Sequence, residues 1–294
     1  MAPSSIRTSR GTAPRLKRLI VCADDYGFTP GISRSIRELL EARRISATSV
    51  MAGIEYWPGE AAALKAVAGN ADIGLHVTLT DHVPLGPMPT FAPDGRFPAM
   101  GAVYKAGLLR RLPLAEIQAE IERQLARFIE HYGAPPSHID GHHHVHQLPG
   151  VRDIVVDLAR KVGRGRTWVR SCRERPSLVR SRGVATAKAL IIGSLGGGIA
   201  HRAKRADVAI NQGFSGAYDY LSETRQTAQL FERFVMDARE NTLVMCHPGY
   251  ADSLLASRDA MTTPRDAEHA YFMSETWPCL LSANGLELGP YRHP

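Results

Sequence analysis

Long apolar runs are missing from this 294-residue sequence, and none approaches the roughly 20 residues that a membrane-spanning helix needs. Residues 1–18 also lack the apolar core of a secretory signal; this segment is basic and rich in Ser, Pro and Gly, and we expect it to be disordered. Cysteine is scarce, with four residues and no CxxC spacing. A reduced, soluble, cytoplasmic protein is therefore expected.

Motifs for nucleic-acid recognition are also missing, since there is no helix-turn-helix, zinc finger or aromatic-basic RNA-binding motif. The formal charge of +7 is concentrated between Arg160 and Arg205, a block with thirteen Lys or Arg residues and one acid, Glu174. Such a block is either a solvated face or an electrostatic footprint for nucleic acid or an anionic membrane. We expect no nucleic-acid partner.

Short apolar runs alternate with amphipathic helical patterns, which is typical of a parallel sheet covered by helices. Strands are predicted at residues 19–23, 46–52, 72–79, 168–170, 206–211 and 242–247, with another ending at the His-rich segment that starts at 138. Helices are predicted from Pro30, with Thr29 as N-cap, and at 58–67, 113–131, 150–162, 221–239 and 264–281. About seven β/α units in one domain, 19–294, predict a distorted (β/α) barrel; a doubly wound open sheet is the alternative.

Two stretches interrupt this alternation. Residues 80–112 are rich in Pro and Gly, and a connection this long in a compact enzyme is usually functional. We predict a lid or substrate-binding insertion there, with a tolerated surface loop as the alternative. In residues 178–205, the glycines Gly196–Gly198 are expected to end or loosen any helix.

Polar clusters follow the predicted strands. The segment His138–His146 holds five histidines and an aspartate in nine residues, and imidazole is the commonest neutral metal ligand. An adventitious His-rich loop is the alternative for that tract alone. The C-terminal ends of barrel strands meet at one face, so these side chains should converge: Asp24, Asp25, His76, Asp140, His142, Arg170, Asn211 and His247.

One carboxylate and two imidazoles on different strand ends can hold a divalent ion and leave positions open on it. The adjacent Asp24 and Asp25 would point to opposite faces of a regular strand. Both can face one site only where the strand gives way to a turn, which Gly27 permits.

The segments ADDYG, GLHVTL, HIDGHHHVH and HPG, in this order and spacing, resemble the YdjC-like carbohydrate deacetylase family over roughly Leu19 to Leu288. Its members include chitooligosaccharide deacetylases and the HpnK branch associated with hopanoid biosynthesis, and we expect this chain to belong to that branch. The resemblance implies a distorted β/α barrel of the glycoside hydrolase/deacetylase type. It also implies removal of an acetyl group from an N-acetylated sugar, one divalent metal ion (Mg or Zn) and a homodimer.

Position by position, the resemblance implies that Asp25, His76 and His142 bind the metal, that Asp24 is the general base and that His247 is the general acid. His144 and His146 are then expected to be structural or to lie behind the ligands.

The sequence leaves the roles of two further residues undecided. Asp140 either orients an imidazole or caps the turn, and Arg170 either positions the base, contacts substrate or forms a surface ion pair. A metal-dependent phosphoesterase or sugar isomerase is the alternative function, although phosphoesterases commonly use two metals and more carboxylates.

A membrane connection is suggested by the basic start of the chain, the basic residues 173–182 and the apolar run Ala189–Ile192. These features predict a lipid-linked N-acetylglucosamine substrate, such as a glycosylated hopanoid, and peripheral contact with the inner membrane face. The alternatives are a soluble chitooligosaccharide and an apolar run that is ordinary core.

Overall fold

The computed structural model describes residues 15–219, 227–259 and 261–293. Its centre is a sheet of parallel strands. The strands are β1 (Lys17–Tyr26), β2 (Ala47–Val50), β3 (Asp72–Val77), β4 (His138–Gly141), β5 (Trp168–Val169), β6 (Gly213–Ser215), β7 (Thr242–Cys246) and β8 (Leu286–Leu288). β1 therefore begins two residues before the predicted strand, inside the segment expected to be disordered.

The strand order β5-β4-β3-β2-β1-β7-β6 shows that the chain winds around one axis without the reversal found in a doubly wound sheet. The two edges of this sheet also meet: Val169 forms a parallel bridge with Ile210, and its N–H donates to the carbonyl of Ala209 at 2.9 Å. β8 pairs with the start of β1, off this path. The predicted distorted barrel is confirmed, and the open-sheet alternative is wrong.

Helices cover the outside of the barrel. They are α1 (Pro30–Glu41), α2 (Trp57–Val67), α3 (Met100–Leu108), α4 (Leu114–Tyr132), α5 (Val151–Val162), α6 (Pro176–Arg182), α7 (Thr186–Ala206), α8 (Thr227–Val235), α9 (Ser253–Arg258), α10 (Thr263–Met273) and α11 (Thr276–Ala283). Within the described ranges, no helix has both the length and the apolar character needed to cross a bilayer.

The start of α1 follows the predicted capping pattern. Thr29 Oγ1 accepts the N–H of Ile32 at 3.2 Å, and Pro30 occupies the first turn, where its missing N–H costs nothing. Ile32 and Ile36 point into the core. The most regular helix, α4, differs from its prediction by one residue at each end and stops at Gly133, whose φ of 81° favours glycine.

The glycines Gly196–Gly198 do not end α7, contrary to expectation. A Cβ on Gly196 would lie 2.4 Å from the backbone nitrogen of Arg173, and one on Gly198 would lie 2.1 Å from Arg152 Nη1. These glycines therefore allow neighbouring groups to approach the helix closely. Tertiary packing outweighs their low helix propensity.

The strand predicted at 206–211 is also wrong. Ala206 ends α7, and the strand next to β7 is instead Gly213–Ser215. Between them the Asn211 side chain takes the place of ladder hydrogen bonds: its oxygen accepts the Ser171 N–H at 2.7 Å and its nitrogen donates to the Gly213 carbonyl at 2.8 Å. Asn211 thus has a structural role.

The helix predicted at 264–281 is two helices, because Pro278 in the first turn of α11 would clash with the carbonyl of residue 274 in a continuous helix. Of the helix predicted at 221–239, residues 221–226 lie outside the described residues, and α8 occupies 227–235. Both corrections concern helix boundaries.

The insertion 80–112 packs against the barrel. Met88, Phe91 and Phe97 are buried in the main core, and the Glu120 carboxylate on α4 accepts the backbone N–H of Leu85. The segment also carries α3. Its movement as a lid stays a prediction.

We predict that Gly196→Ala lowers the free energy of unfolding by roughly 1–3 kcal/mol, because the new methyl group meets backbone that cannot move aside. Gly197→Ala, one residue further along α7, is the matched control. A Cβ there has no neighbour within 4 Å, so higher helix propensity should leave stability unchanged or raised by up to about 1 kcal/mol. Urea unfolding followed by circular dichroism measures both; equal stability of the two variants would contradict the packing argument.

Candidate active site

The end of β1 turns both adjacent aspartates toward one cavity. Its pairing with β2 shifts register between Ala23 and Tyr26, and Asp25 takes a left-handed conformation with φ 70°. A bulge of this kind redirects side chains at a strand end, at a cost of about 1–3 kcal/mol for the strained residue. Asp24 and Asp25 are both buried and both line the cavity, as expected.

Asp25, His76 and His142 come together from three different strand ends. Asp25 Oδ1 lies 3.0 Å from His142 Nδ1 and 3.5 Å from His76 Nε2, and one ligand atom from each residue lies within 4.8 Å of the others. Burial raises the pKa of Asp25, but His142 and Arg265 more than offset this and hold it well below its ordinary value. The three residues predicted as ligands thus form one compact group.

Asp140 orients His76. The imidazole donates from Nδ1 to Asp140 Oδ1 at 2.6 Å, which turns Nε2 toward Asp25. Ser49 Oγ donates to the other carboxylate oxygen of Asp140 at 2.5 Å. Of the two roles left open for Asp140, the geometry therefore favours orientation of an imidazole.

Arg170 is completely buried and pairs with two carboxylates. Its guanidinium donates to both oxygens of Asp24, at 2.7 and 2.6 Å, and Nη2 lies 2.5 Å from Asp140 Oδ2. Arg170 lies behind Asp24 and is not among the described residues that line the cavity. This geometry favours positioning of Asp24 over contact with substrate, and a surface ion pair is wrong.

His247 follows β7 and faces the same cavity. Burial lowers its pKa to about 4 against the opposing effect of Asp25 and Asp24, so the imidazole is neutral near pH 7. Its backbone N–H donates to Glu268, which also accepts the Tyr218 hydroxyl at 2.6 Å. Burial raises the pKa of Glu268 to about 7.

Helix α10 brings two charged residues into the site that sequence reasoning missed. Arg265 Nη2 donates to Asp25 Oδ2 at 2.8 Å, on the opposite side of that carboxylate from the histidines, and Glu268 binds the backbone of His247. The two lie at i and i+3, on one face of the helix. No sequence signal distinguishes them, because charged residues on a helix usually face solvent.

The cavity above these groups has a volume of about 540 Å³. The polar cluster lines one part of it, here called the floor. The rest of the lining, here called the walls, includes side chains from α3 and α7 and is largely apolar, although Lys188 and Asp259 are among these residues. The apolar lining residues are Met100, Tyr104, Ile191, Ile192, Ala217, Met245 and Met261. Beyond the polar cluster, most of the cavity lining is therefore apolar.

The YdjC-like protein family matches residues 18–283, which is most of the chain. This chain belongs to that family. It is 30% identical over 281 residues to a chitooligosaccharide deacetylase from Escherichia fergusonii, covering 93% of this chain and 97% of that one. A chitooligosaccharide deacetylase from Serratia marcescens is 28% identical over 289 residues, covering 94% and 98%.

A solved structure from Enterococcus faecalis, whose name proposes cleavage of cellobiose phosphate, shares the fold of this YdjC-like chain. The TM-score is 0.70 at 23% identity, over 94% of this chain and 98% of the other. This likeness supports the fold alone.

The remaining histidines of the His-rich segment have structural contacts in this YdjC-like site. His146 Nε2 lies 3.1 Å from the Arg170 carbonyl oxygen, and His144 Nδ1 lies 3.6 Å from Cys172 Sγ. Burial lowers the pKa of His146 to about 4 and that of His143 to about 2, so both rings are neutral. His144 also lines the cavity, whereas His146 does not, and the structural roles expected for both stay predictions.

A second group of metal-ligand types, Cys22, His138 and Asp140, lies behind Arg170. The guanidinium already supplies positive charge there, since Nη2 lies 3.1 Å from Cys22 Sγ and 2.5 Å from Asp140. Burial raises the pKa of Cys22 well above its ordinary value, so its thiol is neutral. Of these two groups, the one formed by Asp25, His76 and His142 opens on the cavity.

Arg170→Met should lower the free energy of unfolding by roughly 3–5 kcal/mol, because it leaves two buried carboxylates without their cation. Arg202→Met is the control: Arg202 pairs with Asp153 and Asp157, whose side chains are about half exposed, so its loss should cost less than about 1 kcal/mol. Urea titration compares the two. Similar losses would show that the aspartates do not depend on Arg170.

Proposed function

We propose that this chain is a metal-dependent carbohydrate deacetylase that hydrolyses the acetamido group of an N-acetylated sugar. The observation that carries the proposal is the meeting of Asp25, His76 and His142 beside the Asp24–Arg170 pair at the floor of one cavity. The family relatives named as chitooligosaccharide deacetylases support it.

The donor set fits a divalent ion. It offers one carboxylate oxygen and two imidazole nitrogens, and the cavity leaves room for further ligands. Two nitrogen donors favour zinc or another transition metal over magnesium, which prefers oxygen. When bound, such an ion supplies Lewis-acid chemistry, polarising the amide carbonyl and making water more acidic.

The protein's own groups divide the remaining work. Asp24, held at both oxygens by Arg170, is positioned to accept a proton from the attacking water as general base. His247 is neutral in the resting site, so it must gain a proton during the reaction before it can act as general acid toward the leaving amine. Each of these groups should contribute roughly 10²–10⁴-fold to the rate.

The side chains that line the cavity limit which substrates suit it. A sugar head group suits the polar floor, whereas a soluble chitooligosaccharide would place further hydroxyls against largely apolar walls. We therefore propose N-acetylglucosamine on an apolar carrier, of which the glycosylated hopanoids of the HpnK branch are an example, with a chitooligosaccharide as the alternative.

Only some of the sequence features that suggested a lipid-linked substrate lie at this site. In the run Ala189–Ile192, Ile192 is buried, Ile191 is 62% exposed, and both line the cavity. Arg182 from the basic stretch is buried and donates to the Phe214 carbonyl. The basic block is thus not one continuous surface, and the apolar run is partly core and partly wall.

The phosphoesterase alternative is less well supported. A second metal would need the carboxylates of Asp24 and Asp140, and Arg170 already bridges them. The homodimer and contact with the inner membrane face stay predictions.

Asp25→Ala and His142→Ala should each lose both bound metal and deacetylation, because each removes a proposed ligand. His247→Ala should keep the metal while kcat falls roughly 10²–10⁴-fold, as for loss of a proton-transfer group. Elemental analysis of the purified variants, together with acetate release, separates the two effects.

His201→Ala, an exposed histidine on α7, is the control and should change neither metal content nor rate. Full metal occupancy in Asp25→Ala would remove the ligand assignment. Loss of metal in His247→Ala would make that histidine a ligand.

The choice of substrate is tested by kcat/KM for acetate release from a lipid-linked N-acetylglucosamine and from N,N′-diacetylchitobiose. We expect the lipid-linked sugar to be preferred, because its carrier can contact the apolar walls. Ile192→Asn, which places an amide on that wall, should reduce the preference without abolishing hydrolysis of the soluble sugar. A clear preference for chitobiose would leave the deacetylase proposal intact and reject the lipid one.

A further inference from the structure

Helix α3 has an outward face with large exposed apolar side chains. Leu108 is 59% exposed and Leu109, in the turn that follows, is 52% exposed, while Met100 at the start of the helix is 46% exposed. Single exposed leucines are ordinary on a protein surface. Here two adjacent leucines lie at the end of the helix, and the same 12-residue segment also exposes Met100. Apolar surface is therefore concentrated on this segment.

The same segment is basic. Residues 100–111 contain Lys105, Arg110 and Arg111 and no acidic residue, and all three cations are exposed. Apolar side chains flanked by cations are typical of helices that lie in the interface of an anionic bilayer. Charge complementarity therefore favours an anionic lipid surface over a neutral one.

The inner face of α3 is already packed, so the exposed leucines do not have to turn inward to complete the core. Val103 is buried, and a Cβ on Gly107 would lie 3.1 Å from Leu148. The Tyr104 hydroxyl donates to the His143 carbonyl at 2.6 Å. Helix α3 is thus fixed to the segment that carries His142.

The helix that carries these leucines also lines the cavity. Met100 and Tyr104 line the cavity from α3, while Ile191, 62% exposed, lines it from α7. A flat apolar surface that meets this helix would therefore also lie against the cavity mouth. A substrate anchored in that surface could present its head group to the site while its carrier stays in the surface.

We propose that α3 and the following turn, Leu109–Arg111, dock on an anionic lipid bilayer and hold the cavity mouth at its surface. The purpose of this docking is access to the lipid-linked substrate, and that purpose rests on the proposed function. Lipid binding itself is measured without any substrate, so the two can fail separately.

The test is co-sedimentation of the full chain with phosphatidylcholine vesicles that contain or lack phosphatidylglycerol. We expect binding to the anionic vesicles, weakened by salt because part of the attraction is between charges. Arg110→Gln with Arg111→Gln should reduce partitioning by about 25-fold, at roughly fivefold for each basic residue near the surface. Leu108→Glu with Leu109→Glu should abolish it.

Met236→Glu is the matched control, since Met236 is an exposed methionine after α8, on another part of the surface, and its variant should bind as the unaltered chain does. Deacetylation of a soluble N-acetyl sugar without vesicles should be the same in all these variants, which shows that the site is intact. Binding of the unaltered chain to neither vesicle, or equal binding by the Leu108→Glu, Leu109→Glu variant, would overturn the proposal. The proposal would also be overturned if the chain is a dimer and the Leu108→Glu, Leu109→Glu variant becomes a monomer without any change in vesicle binding. That result would show that a second copy of the chain covers this face.

Discussion

The buried guanidinium of Arg170 is the interaction on which the polar centre of this barrel depends. It neutralises Asp24 and Asp140, two carboxylates that are completely or almost completely removed from water. Buried charges of this kind are tolerated only when they are paired and hydrogen-bonded. Asp140 in turn orients His76, so one cation supports both the proposed base and one proposed metal ligand.

A second arginine does the same for the neighbouring aspartate. The bulge at the end of β1 turns Asp24 and Asp25 to one cavity, and each has its own arginine, Arg170 from the barrel and Arg265 from α10. Because Arg265 binds Asp25 Oδ2, the other oxygen is directed at His76 and His142. Adjacent residues of one strand thus have different partners, which suits the different roles proposed for them.

The cavity lining combines a polar cluster with mainly apolar surroundings. The strand ends supply the polar floor, and helices α3 and α7, which come from the two stretches where the β/α alternation is interrupted, supply apolar walls. The barrel positions the proposed catalytic residues and metal ligands, whereas α3 and α7 supply apolar side chains that a substrate would contact.

The sequence alone determined most of the strands, the barrel and the set of residues at the strand ends. Apolar runs with period and length typical of buried strands are local features, and polar residues that follow such runs must collect at one face of a barrel. A break in the regular strand at Asp24 and Asp25 was predicted, since two adjacent side chains cannot share a face of a regular strand. It was expected as a turn, whereas β1 continues to Tyr26 and the break is a bulge within it. The role of Asp140 was open because it depends on which imidazole lies within 2.6 Å.

Only the tertiary structure decided the contributions that come from distant parts of the chain. Arg265 and Glu268 enter the site because α10 packs there, and a charged pair at i and i+3 looks the same in sequence whether it faces solvent or a buried carboxylate. Gly196 breaks no helix because its missing Cβ makes room for the backbone of Arg173. Local propensity is worth about 1 kcal/mol per glycine, and packing of the whole helix outweighs it.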